Sequence, residues 1–215
     1  MIVRFDIDAL LVDMDGTLLD STASVLRCWT AVAAEFAIPA GLFAAVPRHG
    51  RPAVEILRDL VDPELVPRAA RRLDELELAD TAGTVALPGA AALLAAAPHG
   101  TLAVVTSAGR ELAAARLGAA GLAAPFLITV DDVTQGKPDP EPFLLGAELL
   151  GVKAGRCLVL EDAPAGLAAA RAAGAASIAV TSTHHPDQLD ADLVVADLSA
   201  LRIERTGTGL VVIAG

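Results

Sequence analysis

At 215 residues the chain is long enough for one sizeable core carrying an inserted subdomain, but tight for two independent domains. A net charge of -11 sets up a field that repels polyanions, and no Lys/Arg cluster interleaved with aromatics counters it, which argues against nucleic acid as a partner. Hydrophobic residues make up 54% of the chain and aromatics only 3%, so the core must be built from Leu, Val, Ile and Ala, and the chain is not a disordered tail.

An anionic metabolite stays compatible with this charge, because one bound divalent cation and a few aimed donors reverse the potential locally. Cys28 and Cys157 have no second Cys and no metal-spaced His beside them, so both are expected as reduced, buried, inert thiols. The first residues, MIVRFDIDALLVDMD, carry acids where a signal peptide needs a basic start and an apolar run, and the expected location is cytoplasmic.

In chain order, Asp6-Ile7-Asp8-Ala9 comes first, and its two acids precede a strand, so they are expected to be solvated. The apolar run 9–12 then reads as a doubly buried strand ending in Asp13-Met14-Asp15-Gly16-Thr17. Two carboxylates at this spacing point to one side of an extended backbone, and Gly16 allows the sharp turn that presents them at the strand's carboxyl end.

The next stretch, 20–86, breaks the strand pattern. Val25, Trp29, Val32 and Phe36 recur at helical steps after Ser21-Thr22, and Pro39 closes that helix. A helix starting at Pro52 and covering 53–60, and another over 64–78, complete what reads as a small helical cap inserted into a core of 1–19 and 87–215. The uncharged stretch 81–109 is cut by Pro88-Gly89 and Pro98-His99-Gly100 into short elements, so no membrane span follows.

Further apolar runs at 102–105, 157–160, 178–180 and 193–195 alternate with Ala/Leu-rich helical stretches. They predict a Rossmann-like α/β core, a parallel sheet with helices on both faces, in which ligands gather at the strands' carboxyl ends. Three of these ends, or the segments between them, carry polar groups. Thr106-Ser107 follows the run 102–105 at a helix start, where backbone donors collect on phosphate. Lys137 stands in Gly136-Lys137-Pro138-Asp139-Pro140 just before a proline-initiated helix. Glu161-Asp162 follows the run 157–160, where acids can hold a hard cation together with Asp13. Each alone has an ordinary structural explanation as cap, surface turn or solvated acid; carboxylates, hydroxyl, lysine and carboxylates together, in that order, point to one site. His184-His185-Pro186 offers no convincing metal pair and is expected at the surface. The tail 202–215, RIERTGTGLVVIAG, reads as a hairpin appended to the sheet.

With these four motifs the chain resembles the haloacid dehalogenase superfamily. LPGAAALLAA, VVTSAGR, GKPDPEPFLLGAELLG and LEDAPAGLAAARAAG are similar to its sugar-phosphatase and glycerol-phosphate phosphatase branch, as is His49-Gly50-Arg51 in the cap. The resemblance implies a phosphatase acting on a small phosphorylated metabolite, as a monomer or small homo-oligomer. It further implies that Asp13 is the nucleophile, and that Asp15 protonates the leaving alkoxide and later deprotonates water. Mg2+ would be bound by the Asp13 carboxylate, the Asp15 backbone carbonyl and Asp162, with Glu161 in the first shell or behind it; Thr106, Ser107 and Lys137 would hold the transferring oxygens. An intact Asp15 separates the chain from the phosphonate-cleaving and dehalogenase relatives. A β-phosphoglucomutase-like mutase is the alternative, and a binding module that merely kept the fold is disfavoured by the intact Asp13, Asp15, Lys137 and Asp162. Two readings stand for His49 and Arg51: contacts to the leaving group, or a satisfied turn and a solvated helix end.

Overall fold

The computed structural model describes residues 2–46, 51–206 and 209–214. Two strands, β1 (Val3–Ile7) and β2 (Ala9–Val12), are followed by the short β3 (Leu19–Asp20) and four helices, α1 (Thr22–Glu35), α2 (Ala40–Ala45), α3 (Ala53–Leu60) and α4 (Val66–Ala79). The short β4 (Val85–Ala86) returns the chain to α5 (Ala90–Ala96), β5 (Leu102–Val105), α6 (Arg110–Ala119), β6 (Leu127–Ile128), α7 (Glu141–Leu149) and β7 (Cys157–Glu161). The last elements are α8 (Pro164–Ala172), β8 (Ala176–Val180), β9 (Leu193–Val195), β10 (Leu201–Arg205) and β11 (Leu210–Ala214).

The main sheet has the order β6-β5-β2-β7-β8-β9, with every neighbouring pair parallel. Both faces are covered, which is why its strands are unbroken apolar runs instead of alternating ones. Leu10 and Val12 pack on one side with Leu102, Val104, Leu158 and Leu160, under α5 and α6. Ala9 and Leu11 pack on the other with Ala103, Val105 and Val159, against Phe143 and Ala147 of α7 and Ala169 and Ala170 of α8. Strand order reverses at β2: the chain moves outward through β5 and β6, then restarts on the other side with β7, β8 and β9. The crevice at the carboxyl end of β2 is therefore the expected ligand site of such a sheet.

The cap helices α1 to α4 are inserted between β3 and β4, which pair antiparallel through Leu19↔Ala86 and Asp20↔Val85. The insertion has a core of its own: Cys28, Trp29 and Val32 of α1 pack with Ile56, Leu57 and Leu60 of α3 and Val66, Ala69 and Leu73 of α4. Of its helices, α2 carries no sequence signal, because AGLFAA is too short to show a period.

Two expectations need correction. The tail does form a hairpin, β10 with β11, but it is not appended to the main sheet; β11 pairs antiparallel with β1, from Val3↔Ala214 to Ile7↔Leu210, in a separate three-stranded sheet. That sheet lays Ile7, Leu210 and Val212 onto the Leu10 face of the core. Nor is Asp8 merely solvated: its carboxylate accepts from Arg156 Nη2 at 2.8 Å and Nε at 3.1 Å and is held below the usual Asp range by that bond, tying the β1–β2 corner to the start of β7. Asp6 is exposed, as expected, beside Arg4.

Candidate active site

Asp13 leaves the end of β2 with its amide bonded to the Leu160 carbonyl, so its carboxylate sits where β2 and β7 diverge. Immediately beyond, the amides of Thr17, Leu18 and Leu19 all converge on the Met14 carbonyl, a tight turn that keeps Asp15 next to Asp13. Gly16 makes this possible with φ +89°, and a Cβ there would collide with the Asp162 carboxylate.

Lys137 is the largest fully buried side chain of the site, at 1% exposure. The loop before α7 that carries it is pinned by Glu141, which accepts from the amides of Thr134 and Gln135 at 2.9 and 2.7 Å. Its ammonium donates to Asp13 Oδ1 at 2.6 Å, Glu161 Oε1 at 2.7 Å and the Val105 carbonyl at 3.0 Å, which uses all three of its protons. Burial works against its charge, but Asp13 and Glu161 outweigh that and raise its pKa above the ordinary lysine value.

Glu161 is fully buried, and its second oxygen accepts from the amides of Asp162 and Ala163, both at 2.9 Å. Gly166, on the first turn of α8, leaves the space that this carboxylate occupies. Asp162 is gripped at both oxygens: Thr17 donates to Oδ1 at 3.4 Å and Thr183 to Oδ2. His184 Nδ1 lies 3.1 Å from the Asp162 carbonyl, so this residue packs behind the site and only His185 is exposed, a correction to the expectation that both lie at the surface. The signal that Thr183 and His184 approach Asp162 is a long-range one, and no local pattern carries it.

Asp13, Glu161 and Asp162 each offer an oxygen within 4.8 Å of the others. Burial first, and then the charge of Glu161, raises the pKa of both Asp13 and Asp162 above the carboxylate range. Three buried carboxylates thus share one ammonium, and the donor set of hard oxygens fits a divalent cation of the Mg2+ type. The Asp15 carboxylate stands outside this group. It accepts from Ser21 Oγ at 2.5 Å and from Arg116 Nη1 at 3.1 Å.

Thr106 and Ser107 lie at the carboxyl end of β5. Thr106 is buried, its amide bonded to the Ile128 carbonyl and its hydroxyl accepting from the Ala108 amide at 3.1 Å. At the start of α6 the Arg110 amide donates to Asp131 at 2.8 Å, so part of the donor cluster expected there is already engaged. Asp13, Asp15, Thr106 and Ser107 all line one cavity of about 560 Å³ under the cap, whereas Lys137, Glu161 and Asp162 sit behind its floor. Arg51 lines the cavity too, with its guanidinium paired to Asp59 at 2.9 Å; His49 lies outside the described residues.

Residues 7–174 match the haloacid dehalogenase-like hydrolase family. The chain belongs to that family. It is 38% identical to hexitol phosphatase A of Escherichia coli over 94% of this chain and 97% of the relative. Validoxylamine A 7'-phosphate phosphatase of Streptomyces hygroscopicus is 34% identical, covering 92% of this chain and 97% of the other. Among solved structures, a hydrolase from Pseudomonas syringae superposes with a TM-score of 0.76 at 27% identity, over 89% of this chain and 94% of that one.

The cap side of the cavity is mainly apolar, with Val25, Leu26 and Trp29 of α1, Val54 and Ile56 of α3 and Leu78 of α4. Polar cap groups on the same wall include Ser21, Thr22 and Arg51 besides Asp74 and Glu77 of α4. Burial raises Glu77 to about 7, with the Arg116 charge opposing that rise. No helix among the described residues is long and apolar enough to cross a membrane.

Proposed function

We propose that this chain is a magnesium-dependent phosphatase that releases phosphate from a small sugar or polyol phosphate through an aspartyl-phosphate on Asp13. The observation that carries the reading is the pairing of Asp13 and Asp15 at the base of one cavity, with Asp13 Oδ1 held 2.6 Å from a fully buried lysine. A lysine so enclosed keeps its charge, and the carboxylate it holds is aligned before any substrate arrives.

In the first step the Asp13 carboxylate attacks phosphorus, the bond from phosphorus to the leaving oxygen breaks, and Asp15 gives its proton to that oxygen. In the second, Asp15 takes a proton from water as the water oxygen attacks phosphorus, the bond to Asp13 breaks, and inorganic phosphate leaves. Thr106 and Ser107 hold the non-bridging oxygens through both steps, while Lys137, with its three protons engaged, keeps Asp13 aligned from behind the floor. Magnesium, when bound by the carboxylates of Asp13 and Asp162 and the Asp15 carbonyl with Glu161 behind, offsets the repulsion between Asp13 and phosphate. A volume of about 560 Å³ is in the range of sites that enclose a small metabolite, and the apolar cap wall lines one side of it. The relatives named for hexitol phosphate and validoxylamine A 7'-phosphate support a polyhydroxylated leaving group.

The test is phosphate release from a panel of polyol, hexose and deoxysugar phosphates, nucleotides and phosphoglycolate, with magnesium and with Asp13→Asn as the blank. Release from polyol or sugar phosphates, abolished in the variant and by chelation and restored by magnesium, is expected. Isomerisation of a sugar 1-phosphate without release would replace this reading with a β-phosphoglucomutase-like one, and silence in both assays would leave a binding module.

A further inference from the structure

The reaction as written gives Arg116 no task, yet few charged side chains are so enclosed: it is 6% exposed, on α6 of the core. Its two terminal nitrogens go to different parts of the molecule. Nη1 donates to Asp15 Oδ2 at 3.1 Å, and Nη2 pairs with Glu77 Oε1 at 3.2 Å, on cap helix α4. Glu77 is itself 7% exposed. The ion pairs Arg27–Asp80 and Arg72–Glu35 stay within the cap and face solvent, and those of Lys137 stay within the core. The Arg116–Glu77 pair crosses from one to the other.

Enclosing an arginine and a glutamate at this boundary is unfavourable unless both are well partnered, and apolar side chains would hold cap to core more cheaply. A guanidinium, however, is a rigid planar fork: fixing one nitrogen fixes the direction of the other. With Glu77 holding one prong, the second can meet Asp15 from one side only, while Ser21 Oγ holds the other oxygen of Asp15. Both rotatable bonds of Asp15 are then set by its neighbours. Asp74, on the same cap helix, is held above the usual carboxylate range by burial first and then by the charge of Asp131 of the core. The Arg116–Glu77 pair sets a favourable charge contact at the same boundary.

We propose that Arg116 is a positioning residue for Asp15, and that Glu77 sets Arg116 in turn, so that the docked cap helps aim the acid–base carboxylate besides covering the cavity. The inference rests on the role assigned to Asp15 above.

The experiment follows 4-nitrophenyl phosphate and sorbitol 6-phosphate with magnesium, in the wild type, Arg116→Ala, Arg116→Lys and Glu77→Gln, with Asp15→Asn as reference. Nitrophenolate needs no proton to leave, so only the second step on that substrate depends on Asp15, whereas both steps depend on it for the alkyl ester. Arg116→Ala should keep the pre-steady-state burst of nitrophenolate near the wild-type rate while steady-state turnover falls about 10- to 100-fold. On sorbitol 6-phosphate kcat should fall by at least as much with KM little changed, as in a milder Asp15→Asn. Arg116→Lys should show the same pattern without full rescue, because an ammonium lacks the fork, and Glu77→Gln should show it at about 3- to 10-fold. Burst and turnover falling together, or both staying at the wild-type level, would overturn the proposal. If Arg116→Ala fails to fold by circular dichroism, Glu77→Gln and Arg116→Lys decide by the same two readouts. If the wild type hydrolyses neither ester, both readouts move to the ester of the panel above that it does hydrolyse, and silence across that panel would sink the phosphatase reading on which this one stands.

Discussion

The carboxyl edge of the sheet and the cap treat charge in opposite ways. At the sheet edge Asp13, Lys137, Glu161 and Asp162 are buried, and each is held by partners that arrive from different strands and loops. In the cap the pairs Arg27–Asp80, Arg72–Glu35 and Arg51–Asp59 lie toward solvent, and the surface turned to the cavity is mainly apolar. Buried charge is costly to assemble but stays where it is put, which suits groups that must meet phosphorus in one orientation. An apolar wall excludes water and selects by shape, and its side chains can change without disturbing the ionised groups.

The sharpest way to break this contrast is to remove the cation from the sheet edge. Lys137→Ala leaves Asp13 and Glu161 enclosed without their ammonium, so urea denaturation in metal-free buffer should show a loss of about 3–5 kcal/mol. Phosphate release should fall with it; a stable variant would mean that the edge is not organised around this residue. Glu77 tests the boundary between the two regions. Its pKa is raised from 4.5 to about 7, so the native state binds its proton more tightly than the unfolded chain does. The stability this contributes is fully present below pH 4.5 and lost as pH rises through about 7. Compared with wild type, Glu77→Gln should therefore gain, between pH 5 and pH 8, roughly 2–3 kcal/mol in relative stability, read by denaturation at the two pH values. The smallest effect belongs to the cap wall. Leu78 is 40% exposed and lines the cavity, so Leu78→Ser should change stability by no more than about 0.5 kcal/mol while shifting KM among substrates and leaving kcat nearly intact. A kcat loss matching that of the core variants would show that the wall takes part in the chemistry.

Legibility in the sequence followed the same division. The strands of the main sheet are covered on both faces, so runs such as ALLV and LAVV stand out, and the polar residues that end them mark the site. By contrast β1, VRFDI, has one face exposed; its strict alternation is a strand signal, but the two acids spaced like Asp13 and Asp15 drew it toward a solvated reading. Arg116 and Glu77 look in sequence like charges on a helix's solvent face. The one local clue is that Arg116 falls four residues after Leu112, on the buried side of α6. Which carboxylate each guanidinium reaches depends on how cap and core meet, and that arrangement has no local pattern.

The pairing of Val3–Ile7 with Leu210–Ala214 has a consequence for synthesis. A ribosome delivers the second of these strands some two hundred residues after the first, so β1 has emerged long before it can pair. Until β11 emerges, β1 presents an unpaired edge and Ile7 lacks Leu210 and Val212 beside it, an interval in which the chain is prone to associate wrongly.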